Sequence, residues 1–207
     1  MQLTLLVATG LAASANWWSR LRDSNRLEQW TKPLVTMLVI GIALSNDSST
    51  GQVSTAVIAL VLCLEGDIAL LPAVDRFVLG LASFLLGHLV FIALFVQYGL
   101  PKLALAGGAL VLVAALIGTV GIRVVQGAAR KDPGLRLPVA AYLLVISAMA
   151  VCGWATGRGW VIAGTTLFVI SDALLGWRQF VRPQPWMAVA VMVTYHAAIV
   201  SLAISLW

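Results

Sequence analysis

Two aspartates stand inside apolar runs of this chain: Asp67 in Cys63-Leu64-Glu65-Gly66-Asp67-Ile68-Ala69-Leu70-Leu71, and Asp172 in Phe168-Val169-Ile170-Ser171-Asp172-Ala173-Leu174-Leu175. A carboxylate at the centre of a membrane helix costs about 2.5–3.5 kcal/mol or more, so such a residue points to function and to a partner. Two buried carboxyls that meet do not both ionise easily, and a protonated acid beside an ionised base is the equipment of general acid-base hydrolysis. Glu65 precedes Asp67 by two residues, so on a helix it points about 160° away and belongs to another face. His88 and His196 are the only histidines, each midway along the apolar run that follows one of the aspartates.

The same residues leave other chemistry open. Asp67, Asp172, His88 and His196 make a two-carboxylate, two-His set that zinc accepts, which would give a zinc-dependent lipid hydrolase. Against it, no H-x-x-x-H spacing is present, and a count along the runs puts the histidines about 8 Å deeper than the aspartates at about 1.5 Å per residue. Intramembrane Asp and His also serve proton-coupled transporters. No G-x-S-x-G and no Ser, Cys or Thr with an evident His base compete as nucleophiles. The expectation is therefore no metal and no cofactor.

The elements that must carry these residues are membrane spans. Of 207 residues 61% are hydrophobic and 10% charged, with mean hydropathy +0.99, whereas a soluble domain carries about 25% charged residues. A span needs about 20 mostly apolar residues, and eight runs qualify: 1–18, 33–46, 53–71, 77–97, 102–122, 138–154, 160–177 and 186–206. The fold expected is an all-α polytopic bundle of eight transmembrane helices in a single domain over residues 1–207.

Charge sets the orientation. The loops after the first, third, fifth and seventh runs hold eleven of the thirteen Lys and Arg residues, and the remaining loops hold only Lys102 and Arg158. The positive-inside rule makes the basic loops cytoplasmic and puts both termini outside. The net charge of +5 and pI near 9.8 are thus a topology signal, and no continuous basic face suggests nucleic acid. Trp17, Trp18, Trp154, Trp160, Trp177, Trp186 and Trp207 fall at or near run ends, as interfacial aromatics do. Nothing is charged before Arg20, so the first run reads as an uncleaved helix, not a secretory signal. Cys63 and Cys152 lie within different runs and read as small apolar residues. Leu21, Leu27 and Trp30 would let the first loop form a short interfacial helix, and Asp47-Ser48-Ser49 is turn chemistry.

Pro33 to Asp67 spans 34 positions, and so does Pro138 to Asp172. Spans one to four thus read as repeating in spans five to eight, with halves 1–97 and 102–207. On this reading Asp67, Asp172 and Tyr142 lie at similar shallow depth, with Lys32 at the start of the second span on the same side. They define a polar pocket open toward the cytoplasm or inner leaflet.

Lys32-Pro33-Leu34, Gly66-Asp67 followed by leucines, Phe84 to His88, Ala141-Tyr142-Leu143-Leu144-Val145-Ile146 with Met149, and Phe168-Val169-Ile170-Ser171-Asp172 run in an order that resembles the YhhN-like lysoplasmalogenase family. The chain departs from that pattern at Glu65 and in Tyr195-His196-Ala197-Ala198-Ile199. The resemblance implies an ether hydrolase of the cell membrane that cleaves the vinyl ether bond of lysoplasmalogens to a fatty aldehyde and glycerophosphoethanolamine or glycerophosphocholine. It implies a lysophospholipid substrate and the lipid bilayer as partners; for that reaction the residues offer Asp67 and Asp172 as the catalytic pair, one donating the proton while the other steadies the cation and activates water, and Lys32 as the group that meets the phosphate. Tyr142, His88, Tyr195, His196 and Ser171 complete the substrate-binding set.

Overall fold

The computed structural model describes residues 1–46 and 48–207; Asp47, in the turn expected at Asp47-Ser48-Ser49, lies outside the described residues. The described residues are helical and contain no sheet. The helices are α1 (Gln2–Leu21), α2 (Asn25–Leu44), α3 (Thr50–Ala69), α4 (Phe77–Tyr98), α5 (Leu103–Leu116), α6 (Ile122–Lys131), α7 (Arg136–Ala155), α8 (Gly159–Phe180) and α9 (Met187–Ile204). A π-helical turn, Ile117–Gly121, joins α5 to α6 in one rod, so eight long rods are present among the described residues.

Six of these rods are long and apolar enough to cross a membrane: α3, α4, α5 with α6, α7, α8 and α9. The chain is an integral multi-pass membrane protein. The other two of the eight expected spans, α1 and α2, have 20 residues each but too polar a composition to count with the six; α2 carries Arg26, Glu28 and Lys32.

Two boundaries differ from the sequence reading. The second helix begins at Asn25 and not at residue 33, so Lys32 and Pro33 lie inside it. The charged residues that look like a loop are helical because they are satisfied there: Glu28 pairs with Arg20 of α1, and Thr31 accepts the Asn16 amide at 3.0 Å. Pro33 removes the N–H that would bond the carbonyl of Gln29, a loss tolerated in a packed helix. Of the two readings of the first loop, an interfacial helix or a plain linker, no separate helix stands between α1 and α2 among the described residues, since Leu21 ends α1 and Leu27 and Trp30 belong to α2. The fifth helix runs on past residue 122 to Lys131, its apolar half in α5 and a basic amphipathic half in α6.

Packing follows the chain order. α3 lies along α4 and α8 along α9; α2 touches α3 and α9, while α7 touches α4 and α8, so these six helices close a ring. α1 packs on α2 and α9, and α5 packs on α7. Phe91, Phe95, Phe168, Leu60 and Met149 are fully buried within the ring, whereas Leu86, Leu89, Leu110, Leu112 and Leu144 face outward. Small residues bring α3 and α4 together: a Cβ on Gly66 would lie 2.5 Å from the Phe84 ring, so only glycine admits that ring beside Asp67.

Candidate active site

Asp67 closes the last turn of α3 on its inner face. It is fully buried, while Glu65 is exposed, as the helical period requires. Asp67 Oδ2 accepts hydrogen bonds from the hydroxyls of Thr36 (2.6 Å) and Tyr195 (2.8 Å). Lys32 Nζ stands 3.5 Å from Oδ1. Lys32 and Thr36 are four residues apart on α2 and therefore share one face. Oδ1 faces the Lys32 ammonium and has no donor within hydrogen-bond geometry among the described residues.

Asp172, in the middle of α8, has a different set of neighbours. Its Oδ2 accepts the Tyr142 hydroxyl from α7, and His88 Nε2 of α4 lies 3.9 Å away. His88 Nδ1 bonds the carbonyl of Phe84. A carbonyl only accepts, so Nδ1 carries a proton, and Nε2 is the ring nitrogen that faces Asp172. Phe168 and Tyr142 hold the imidazole edge-on, with centroids 4.6 and 5.4 Å away. No Lys or Arg lies within 4 Å of Asp172 among the described residues.

The structure brings one of the two histidines to an aspartate and not the other. His88 of α4 reaches Asp172 of α8, with Nε2 3.9 Å from Oδ2. His196 goes elsewhere: its Nδ1 accepts the Trp17 indole N–H at 3.1 Å, and it does not line the cavity that holds the aspartates. The zinc set is thus split, and among the described residues no cluster of three or more His, Cys, Asp or Glu is placed for a metal ion. Ser171 lines the cavity but spends its proton on the Val191 carbonyl at 3.1 Å, tying α8 to α9. Cys63 and Cys152 are free thiols, the first buried.

Asp67 and Asp172 line one cavity of about 150 Å³ with Lys32, Ser171, Phe84 and Tyr195. Arg20, Glu28, Asp75 and Arg178 line the same cavity, and they come from the end of the bundle where the basic turns lie. Asp172, Phe84, Phe77, Leu70, Leu175 and Gln179 also line a second, smaller cavity of about 40 Å³, whose other walls include Leu81, Leu143 and Phe180. A third, about 30 Å³, again reaches Asp172 and runs along the π-helical turn between α5, α7 and α8. Asp172 therefore stands where a charged cavity meets apolar ones, whereas Asp67 faces only the charged side.

Thr36, Arg20, Glu28 and Arg178 belong to this site and are not evident from sequence. Thr36 had one usable signal, its place four residues after Lys32. Arg20 and Arg178 look like ordinary topology-setting charges until the fold brings them to one wall.

A model of the YhhN family matches residues 27–206. A human protein named lysoplasmalogenase TMEM86B is 37% identical over 150 residues, covering 71% of this chain and 61% of the human one. A pig protein of the same name is 30% identical over 181 residues, 85% of this chain and 75% of the pig protein. The lysoplasmalogenase of Mycobacterium tuberculosis is 31% identical over 125 residues, 59% of this chain and 48% of that protein. The match to the human relative thus spans about three-fifths of its length. No solved structure gives a significant match.

Proposed function

The chain belongs to the YhhN family, and from that premise we propose that it hydrolyses the vinyl ether bond of lysoplasmalogens, releasing a fatty aldehyde and a glycerophospho-base. The observation that carries this reading is the placement of two carboxyls, Asp67 and Asp172, on the wall of one cavity where charged and apolar lining meet.

The two environments suit different tasks. Lys32 and the Thr36 and Tyr195 hydroxyls all favour a charged carboxylate at Asp67. Asp172 has one hydroxyl donor and no Lys or Arg partner among the described residues, an arrangement more favourable to a protonated acid than that of Asp67. Asp172 donates its proton to the β-carbon of the vinyl ether, forming an oxocarbenium ion. Asp67 steadies that cation and takes a proton from the water that adds to the α-carbon. The hemiacetal then collapses: its hydroxyl loses a proton, the glycerol oxygen gains one, and the C–O bond breaks. Proton transfer from Asp67 to Asp172 through the cavity restores the starting state. One water is consumed, and one aldehyde and one alcohol are formed.

All eight rods cross the membrane in this reading, with both termini outside and the cavity open to the cytoplasmic leaflet, since Arg20, Arg178 and the basic turns share its end of the bundle. The neighbour relations of α2 with α9 and of α7 with α4 support halves 1–97 and 102–207 related by a two-fold axis. Each aspartate then meets the helix before it, through Lys32 and Thr36 for Asp67 and Tyr142 for Asp172, and the last helix of the other half, through Tyr195 and His88 respectively.

The test is aldehyde release by the purified protein from a 1-alkenyl lysophospholipid, with an ester lysophospholipid as control. Aldehyde from the first and no fatty acid from the second is the expected result; full activity in both Asp67→Asn and Asp172→Asn would falsify the acid-base assignment.

A further inference from the structure

Three cations line the cavity of the aspartates, and two are already committed. Lys32 faces Asp67 at 3.5 Å. Arg20 pairs with Glu28 through a side chain that is 10% exposed. Arg178, half-buried on the last turn of α8, lines the same cavity and has neither an ion pair nor a hydrogen bond among the described residues. A half-buried guanidinium has five donors to satisfy, and none is taken by a protein acceptor among the described residues; Arg20 adds positive charge beside it while Glu28 and Asp23 offset part of that charge, and the planar fork matches phosphate.

Position adds a second argument. Arg178 is six residues beyond Asp172, about 9 Å along the helix axis at about 1.5 Å per residue. Ser171, Asp172, Leu175, Arg178 and Gln179 all line the cavity, so a continuous stripe of α8 leads from the cavity mouth to the proposed acid. The glycerol backbone of a lysophospholipid places its phosphate and its sn-1 ether at the two ends of a comparable stretch.

We propose that Arg178, supported by Arg20, is the subsite for the phosphodiester of the bound lysolipid, and that this contact sets the depth at which the sn-1 ether meets Asp172. The proposal rests on the lysolipid reading of the cavity. Lys32, held by Asp67, serves the carboxylate instead of the phosphate.

The test compares substrates within one protein preparation, which removes differences in folded fraction. The full chain is assayed on 1-alkenyl-glycerophosphoethanolamine and on 1-alkenylglycerol, which lacks the phosphate. Arg178→Gln is expected to lower the ratio of the two kcat/KM values at least tenfold, through KM, with Arg178→Lys intermediate because charge remains without the fork. An unchanged ratio in Arg178→Gln overturns the proposal, whatever happens to the absolute rates.

Binding of a 1-alkyl ether lysophospholipid against 1-alkylglycerol, followed by titration calorimetry in micelles, does not depend on hydrolysis. If wild-type protein cleaves no vinyl ether but binds the phosphorylated ligand more tightly in an Arg178-dependent way, the reaction reading fails and the subsite stands. If Arg178→Gln binds both ligands as wild type does, the subsite fails. Competition by inorganic phosphate identifies a site for free phosphate, and its absence identifies a lipid headgroup as the source of the same chemistry.

Discussion

Lys32 Nζ stands 3.5 Å from Asp67 Oδ1, inside a helical bundle where neither side chain is more than 6% exposed. Breaking such a pair by removing one partner leaves an uncompensated buried charge, at about 3–5 kcal/mol. Lys32→Met is therefore expected to lower thermal stability in detergent markedly and to abolish aldehyde release. Adding Asp67→Asn to Lys32→Met should recover much of the stability and none of the activity. Scanning fluorimetry of the two single variants and the double variant checks this, and additive losses would show that the two groups are not coupled.

Asp172 is expected to deliver a proton to carbon, a slow step whose rate responds to deuterium. Aldehyde release should be several-fold slower in deuterated solvent for the wild type. Asp172→Asn should lose at least about 100-fold, the scale of a general acid. Initial rates in the two solvents decide the matter: absence of a solvent isotope effect would remove carbon protonation from the rate-limiting step.

How far the chain could be read beforehand depends on what each feature needs. Asp67 and Asp172 are legible because a carboxylate in an apolar run has few explanations, and Glu65 is legible as an outsider through the helical period alone. The start of α2 is not, since Arg26, Glu28 and Lys32 look like loop until Arg20 is seen beside Glu28. That His88 meets Asp172 and not Asp67 is not legible, because residue counts along a span carry no information about how α4 is staggered against α8. Arg178 lies in the last turn of α8 and is indistinguishable in sequence from a topology charge; only the cavity it lines gives it a task.

The tyrosines should separate by role. Tyr195→Phe removes one of two hydroxyls that support the charged form of Asp67, and Tyr142→Phe removes the single hydroxyl on Asp172. A hydrogen bond to a charged group contributes about 1.5–3 kcal/mol, so Tyr195→Phe is expected to lower kcat by about tenfold or more. Tyr142→Phe should act chiefly on the pH profile and the isotope effect, since it alters how Asp172 holds its proton. Identical pH profiles for Tyr142→Phe and wild type would show that Tyr142 only packs against His88.

The hydrocarbon chain has a predicted path of its own. Leu143 lines both apolar cavities that reach Asp172, so a bulky side chain there narrows the way past the acid without touching the charged cavity, whose lining does not include it. Leu143→Trp is expected to reduce kcat/KM for a long-chain alkenyl lysolipid at least tenfold more than for a short-chain one with the same headgroup. The contrast with Arg178→Gln is specific: the Arg178 variant should discriminate by phosphate and not by chain length, and the Leu143 variant by chain length and not by phosphate. Measuring both variants on the same four substrates, long and short, with and without phosphate, separates the two ends of the lipid. A Leu143→Trp enzyme that loses long- and short-chain activity in equal proportion would place the chain outside this seam.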